Sequence, residues 1–146
     1  MQTTIGNCWL CTHTDGLENV LKAAREITPK DSKLICMFGC GGDRDATKRP
    51  KMGKIAEDLA DKVIVTSDNP RSENPQQIIT DILAGFKSTS DVIVELDREL
   101  AIREAYNIAE ESDVVVLAGK GHEDYQILAT ETIHFDDREK VREIFV

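Results

Sequence analysis

Short, continuously apolar runs alternate along this chain with longer amphipathic stretches. The apolar runs lie at residues 33–38, 63–66, 92–96 and 114–118. Runs of this length without strict alternation are typical of strands that are covered on both faces. Residues 132–135 form a weaker run, which is expected to be an antiparallel edge strand.

Between these runs, apolar residues recur at helical spacing and predict five helices. The predicted helices lie near residues 17–27, 52–60, 75–85, 98–110 and 138–144. Strands that alternate with helices favour an α/β fold, with a single open, mostly parallel, Rossmann-like sheet and helices on both faces. Because no linker, repeat or low-complexity segment interrupts the pattern, residues 1–146 are interpreted as one domain.

The overall charge is strongly acidic and limits the partners. The formal net charge is −9 over 146 residues, so a nucleic acid or an anionic membrane is not expected as a partner. No apolar run reaches the length of a membrane span, and no export signal is visible, so a cytoplasmic location is expected. A locally basic run between Arg44 and Lys54 is interpreted as a solvated loop and helix start.

The four cysteines allow two interpretations. Cys8 and Cys11 have a spacing familiar from zinc ligands, and Cys36 and Cys40 could complete a four-thiolate site. However, Cys36 lies inside an apolar run, where a free cysteine is commonly a small core residue. No metal site is therefore expected, and the zinc-stabilised domain stays as an alternative.

Polar segments follow three of the apolar runs, at residues 39–45, 68–72 and 119–124. Ligands of open α/β sheets bind beyond the carboxyl ends of the strands, so these segments are expected to converge on one rim. Arg44 and Arg71 can each grip a carboxylate, Asn69 offers a donor and an acceptor, and Glu123 can hold an ammonium group. This set indicates a pocket for a zwitterion such as an amino acid. The alternative is that the arginines pair with Asp43, Asp45 or Asp68 on the surface.

Motifs for phosphate binding and for nucleophilic catalysis are not found. The chain contains neither G-x-x-x-x-G-K-[ST] nor G-x-G-x-x-G, and it has no G-x-S-x-G. His13, His122 and His134 stand alone in sequence, and only His122 falls at the predicted rim. No catalytic residue is therefore expected in this domain.

The three rim segments carry a resemblance to a known family. Residues 38–45 (FGCGGDRD) with 48–50 (KRP), then 68–71 (DNPR) and 119–126 (GKGHEDYQ), resemble the UDP-N-acetylmuramoyl-tripeptide synthetases of the Mur ligase family. That family has three domains, of which the first holds the UDP-sugar, the central one carries the ATP loop and the third binds the incoming amino acid. The resemblance implies that residues 1–146 are the third domain of an ATP-dependent ligase of peptidoglycan synthesis. ATP and Mg²⁺ would be bound mainly by the central domain, and this chain alone is expected to be inactive.

The resemblance also implies the substrate and the residues that contact it. The Asp-Asn-Pro-Arg form is similar to that of enzymes that add meso-diaminopimelate to UDP-N-acetylmuramoyl-L-alanyl-D-glutamate, whereas lysine-adding relatives carry another residue at the position of Arg71. The implied contacts with meso-diaminopimelate are Arg44, Asn69, Arg71, Gly119 and Glu123. Both arginines would engage carboxylate, while Gly119 and Glu123 would hold the distal ammonium.

The N-terminal segment departs from the family pattern. The family reads Asp-Tyr-Ala-His-Thr-Pro before the first helix, whereas this chain has residues 10–15 as LCTHTD. Aligned on His13, Leu10 stands where a ribose-contacting aspartate is expected. Residues 1–14 are therefore interpreted as an altered hinge segment, with His13 on the nucleotide side. The alternatives are a stand-alone amino-acid-binding module and a lysine-adding ligase of the same family.

Overall fold

The computed structural model describes residues 4–7, 14–120 and 123–145. In chain order the elements are β1 (Thr4–Asn7), α1 (Thr14–Ile27), β2 (Leu34–Phe38), α2 (Lys48–Leu59), β3 (Lys62–Val65), α3 (Pro75–Leu83), β4 (Ile93–Val94), α4 (Arg98–Ile108), β5 (Val114–Leu117), β6 (Tyr125–Ile127), β7 (Thr132–His134) and α5 (Asp137–Ile144). The predicted α/β class and all five predicted helices are confirmed. None of the helices in these ranges is long and apolar enough to cross a membrane.

The main sheet has five parallel strands in the order β1-β5-β2-β3-β4. Strands β5, β2 and β3 lie side by side, so their carboxyl ends share one edge of the sheet. Residues Thr4–Asn7 form β1 and pair with Val114–Leu117, although they fall in the segment interpreted as a hinge. The sequence TIGN contains a single large apolar residue, so no apolar pattern indicated this strand.

Alternate residues of the central strands build two cores, one on each face of the sheet. On one face, Leu34, Cys36 and Phe38 pack with the apolar sides of α1, α2 and α3. On the other face, Ile35 and Met37 pack with α4 and α5. The continuous apolar runs of the sequence therefore reflect burial on both faces, as expected for parallel strands.

The antiparallel strand expected at residues 132–135 does form, as β7, but it does not join the main sheet. It pairs with β6 in a two-stranded sheet of its own, with Gln126 opposite Ile133. The Gln126 side chain donates to the backbone oxygen of Asp68 at 2.8 Å. This bond fixes the small sheet beside the carboxyl end of β3.

A buried ion pair ties two strand ends to α5. Arg98, at the start of α4, donates to both carboxylate oxygens of Asp137 at 2.8 and 2.7 Å. The same guanidinium donates to the backbone oxygens of Ser67, after β3, and Ala118, after β5. Both charged side chains are fully buried. Arg98 therefore holds the ends of β3 and β5 together beneath the rim.

Candidate amino-acid-binding site

The segments that follow β2 and β3 lie against each other without side chains between them. A Cβ on Gly39 would stand 2.4 Å from the Thr66 oxygen, and one on Gly42 would stand 1.8 Å from the Pro70 oxygen. The Gly42 amide donates to the Asn69 oxygen at 2.8 Å. Only glycine allows the two backbones to approach so closely, so these positions set the shape of the rim.

The three polar segments converge at the carboxyl edge of the sheet, as predicted. They enclose a cavity of about 400 Å³ whose lining includes Arg44, Asn69, Arg71 and Glu123. Gly119 has φ +108° and lies beside the Asp68 carboxylate, next to this lining. Four of the five predicted contacts thus share one cavity, and the fifth adjoins it. His13, on the nucleotide side of the prediction, and His122 lie outside the described residues.

Three arginines line the cavity, and two of them, Arg44 and Arg71, have no carboxylate partner among residues 14–120 and 123–145. Arg44 is exposed and lines the cavity. Arg71 donates only to backbone oxygens, through Nη1 to Gly42 at 2.9 Å and to Asn69 at 3.4 Å. The aspartates considered as surface partners bind elsewhere: Asp43 accepts from Ser72, Asp45 accepts from Thr47 and Asp68 lies 3.7 Å from Lys120. Arg44 and Arg71 therefore line the cavity without an ion-pair partner among the described residues.

Arg71 has a left-handed backbone, with φ 52°. A non-glycine residue in this region costs roughly 1 kcal/mol or more and persists only where its surroundings hold it. The Arg71 amide donates to the Ile127 oxygen of β6 at 3.1 Å, which supplies one such constraint. The strained backbone thereby directs the guanidinium toward the Gly41–Gly42 segment.

Asn69 lines the cavity, but its side-chain amide is bound by other groups of the protein and orients an acidic side chain. Its Oδ1 accepts from the Ile127 amide at 2.9 Å and from Lys120 Nζ at 3.3 Å, so its Nδ2 must point the other way. Nδ2 donates to Glu123 Oε2 at 3.0 Å. Because Asn69 is only 2% exposed, its main effect is to fix the Glu123 carboxylate at the cavity wall.

A buried pair of opposite charges lies behind these groups. Lys120 Nζ is 3.7 Å from Asp68 Oδ1 and also donates to the Tyr125 oxygen. Desolvation raises the pKa of Asp68 and lowers the pKa of Lys120, while the attraction between the two groups opposes both shifts. Asp68 Oδ1 has no hydrogen-bond partner in the described structure and Asp68 lines the cavity. Acidic groups therefore stand on the side of the cavity that Glu123 occupies.

The sequence analysis missed that two cations close to the predicted contacts are buried. Arg49 was grouped with a basic run interpreted as solvated, but it is 2% exposed and ion-paired with Glu73 and Asp81. Lys120 falls in the polar segment at residues 119–124 but was given no role of its own, and it is also 2% exposed. The local sequence does not predict that either side chain is buried, because the acidic partners lie far away along the chain. The only indication in the sequence was that both residues lie close to the predicted contacts.

The described cysteines lie in the core. Cys36 is fully buried in β2, and Cys40 Sγ lies 3.6 Å from the Met52 sulfur. Burial raises the pKa of each thiol to about 12, so both stay protonated. Within residues 4–7, 14–120 and 123–145, no group of three or more histidines, cysteines or acidic residues could hold a metal ion. Cys8 and Cys11 of the zinc alternative lie outside the described residues.

Comparisons with known proteins give one family. A family model described as "Mur ligase, glutamate ligase domain" matches residues 10–121. A ligase of Synechococcus elongatus named "UDP-N-acetylmuramoyl-L-alanyl-D-glutamate--2,6-diaminopimelate ligase" is 63% identical over 131 residues, which cover 89% of this chain and 26% of that protein. A ligase of the same name from Thermosynechococcus vestitus is also 63% identical, with the same coverage.

Solved structures agree with these relatives. A structure of a protein with the same ligase name superposes with a TM-score of 0.86 at 42% identity, over 92% of this chain and 28% of that one. A domain of a ligase from Haemophilus ducreyi, at 14% identity and a TM-score of 0.55, shares the fold. The chain spans about a quarter of the length of the curated relatives that it matches.

Proposed function

This chain belongs to the Mur ligase family, and we propose that it is the amino-acid-binding domain of a ligase that adds meso-diaminopimelate to UDP-N-acetylmuramoyl-L-alanyl-D-glutamate. The family match over residues 10–121 and the diaminopimelate ligases at 63% identity support the proposal. The single observation that carries the specificity is Arg71, whose guanidinium lines the cavity without a carboxylate partner among the described residues.

The cavity matches the charges of meso-diaminopimelate. This amino acid carries a carboxylate and an ammonium group at each end, whereas lysine has no distal carboxylate. Arg44 and Arg71 supply two cationic partners, and Glu123 supplies an anionic one. Arg71 uses Nη1 for backbone oxygens and retains other N–H groups for a carboxylate. A volume of about 400 Å³ is adequate for a ligand of this size.

The described residues do not fit ATP or Mg²⁺. They contain no cluster of metal ligands, and the sequence contains no Walker-type phosphate loop. In the proposed enzyme, therefore, the nucleotide and the metal would be held by parts of the protein outside this chain. The contribution of this chain is to bind the amino acid and to direct its amine toward the activated carboxyl group of the UDP-sugar dipeptide. We accordingly expect no ligation by this chain alone, and ligation by it alone would contradict the assignment.

The test is a titration of the ¹⁵N-labelled chain with meso-diaminopimelate and with L-lysine, followed by backbone amide shifts. We expect shifts at Asn69, Arg71 and Gly119 with meso-diaminopimelate and much weaker ones with L-lysine. Arg71→Ala should lower the meso-diaminopimelate affinity by about 2 kcal/mol or more, because a desolvated charge pair loses one partner. Arg25→Ala is the matched control, since this arginine pairs with Asp61 on the exposed surface.

The outcomes separate the alternatives. Equal shifts with both ligands would contradict diaminopimelate specificity and favour a lysine-adding ligase. Arg71→Ala with wild-type affinity would remove the observation on which the specificity depends. Binding of meso-diaminopimelate by a natural protein that lacks the rest of the ligase would favour a stand-alone binding module.

A further inference from the structure

Arg49 is a buried guanidinium that the proposed ligand contacts do not include. It lies in the first turn of α2 and is 2% exposed. Its Nη1 donates to Glu73 at 3.2 Å and to Asp81 at 3.0 Å, and its Nη2 donates to Glu73 at 2.6 Å and to the Gly41 oxygen at 3.1 Å. One side chain therefore joins the loop after β2, the loop after β3 and helix α3.

The backbone oxygen to which Arg49 donates belongs to Gly41, which lies against the side chains of both Arg44 and Arg71. A Cβ on Gly41 would meet Arg71 Nη1 at 2.9 Å and Arg44 Cγ at 3.6 Å. A displacement of the Gly41 backbone would thus reach both guanidinium-bearing side chains at once. Arg49 is part of the cavity lining, but its side chain is only 2% exposed and both of its Nη atoms donate to other groups of the protein.

The same contacts hold a second strained residue of the rim. Asp43, which precedes Arg44, has φ 55°. Its amide donates at 2.6 Å to Glu73 Oε2, the oxygen that Arg49 Nη2 also binds. Its carboxylate accepts from the Ser72 hydroxyl at 2.7 Å, next to the left-handed Arg71. Arg49 and Glu73 therefore hold the backbone at Gly41 and at Asp43, the residue that precedes Arg44.

We propose that Arg49 is a positioning residue, which, through Gly41 and Glu73, fixes the side chains of Arg44 and Arg71 relative to each other for binding the carboxylates of one ligand. The inference rests on the proposed function, because it assumes that the cavity takes meso-diaminopimelate. Because Arg49 acts through other residues, its loss changes the positions of Arg44 and Arg71 but not their charge. We therefore expect the loss of Arg49 to reduce the preference of the cavity for a ligand with a second carboxylate.

The experiment compares Arg49→Met and Arg49→Lys with the wild-type chain. We expect Arg49→Met to weaken meso-diaminopimelate binding on the order of tenfold to a hundredfold, by analogy with the range measured when residues that orient the ligands of a metal site are removed. L-Lysine binding should change less, so the preference for meso-diaminopimelate should fall. Arg49→Lys keeps the charge but offers one donor atom in place of a fork, and it should recover only part of the affinity. If Arg49→Met does not fold, Arg49→Lys carries the comparison.

Ile79→Ala is the matched control, because Ile79 is a fully buried apolar residue of α3. The free energy of unfolding of each variant is measured in urea, so that a loss of binding can be compared at equal stability. Wild-type affinity in both Arg49 variants would overturn the proposal. An equal loss in Ile79→Ala would overturn it too, since the effect would then follow stability alone.

A second measurement needs no ligand and separates this inference from the proposed function. Hydrogen exchange and ¹⁵N relaxation are recorded at the amides of Asp43 and Arg71. Arg49→Met should speed exchange and increase motion at both, with α1 unchanged. If the wild-type chain fails to bind meso-diaminopimelate, the proposed function fails for this chain, and exchange and relaxation at these amides still test the positioning role of Arg49. Exchange rates and relaxation at Asp43 and Arg71 that do not change in Arg49→Met would overturn that role.

Discussion

The close approach of two backbones at Gly42 gives a sharp prediction for Gly42→Ala. The added Cβ would lie 1.8 Å from the Pro70 oxygen. Carbon–oxygen contacts rarely close below about 3.3 Å, so the loops would have to separate by about 1.5 Å. That movement breaks the bond from the Gly42 amide to the Asn69 oxygen and disturbs the bond from Arg71 to the Gly42 oxygen.

The size of the effect follows from these contacts. Each lost hydrogen bond costs about 1 kcal/mol, and forced expansion of a packed region adds about 1–3 kcal/mol. The free energy of unfolding should therefore fall by roughly 3 kcal/mol. Because a displacement of about 1 Å is enough to spoil a binding geometry, meso-diaminopimelate binding should weaken by at least about tenfold.

The assay is urea unfolding followed by circular dichroism, together with the ligand titration in the absence of urea. Gly53→Ala is the control, because its Cβ would lie 2.3 Å from the Ile82 oxygen, between α2 and α3 and away from the two loops. It should lower stability but keep ligand affinity near the wild-type value. The reasoning would be refuted if the free energy of unfolding of Gly42→Ala lay within about 0.5 kcal/mol of the wild-type value and the variant bound meso-diaminopimelate normally.

Three further predictions concern stability and reactivity. Arg98→Met should lower the free energy of unfolding, measured in urea, by about 3–5 kcal/mol, because it leaves Asp137 buried and unpaired. The double variant with Asp137→Leu should recover much of that loss. A double variant that is no more stable than Arg98→Met would contradict this expectation. The Glu139 carboxylate is the largest cause that raises the pKa of His134, so the pair stabilises the fold fully below the unfolded histidine pKa and this contribution disappears as pH rises through the folded pKa. An NMR titration should show the raised pKa, and Glu139→Gln should remove most of the shift; an unchanged pKa in that variant would contradict this cause. Burial raises the pKa of the Cys36 thiol to about 12. Iodoacetamide at pH 8 should therefore label Cys36 in urea but not in the native chain, as measured by peptide mass spectrometry. Labelling of the native chain would contradict this burial.

Much of the candidate site could be predicted from residue types at strand ends. Arg71 and Glu123 were located because each follows an apolar run, and parallel strands place their carboxyl ends on one edge. The same argument did not predict that the side chain of Asn69 is hydrogen-bonded to Glu123 and Lys120. Which hydrogen bonds an amide makes depends on groups brought in by other strands, so the sequence around Asn69 carries no record of them.

The sequence by itself determined the fold class, because the period of apolar residues reports which faces each element must bury. It did not reveal β1, since Thr4–Asn7 carries no apolar pattern and is a strand only because the edge of β5 supplies its hydrogen bonds. It also placed Arg49 on a solvated surface, although its carboxylate partners come from 24 and 32 residues away along the chain. Burial of a charge is stable only when such partners converge on it, and that convergence is decided by the tertiary structure alone.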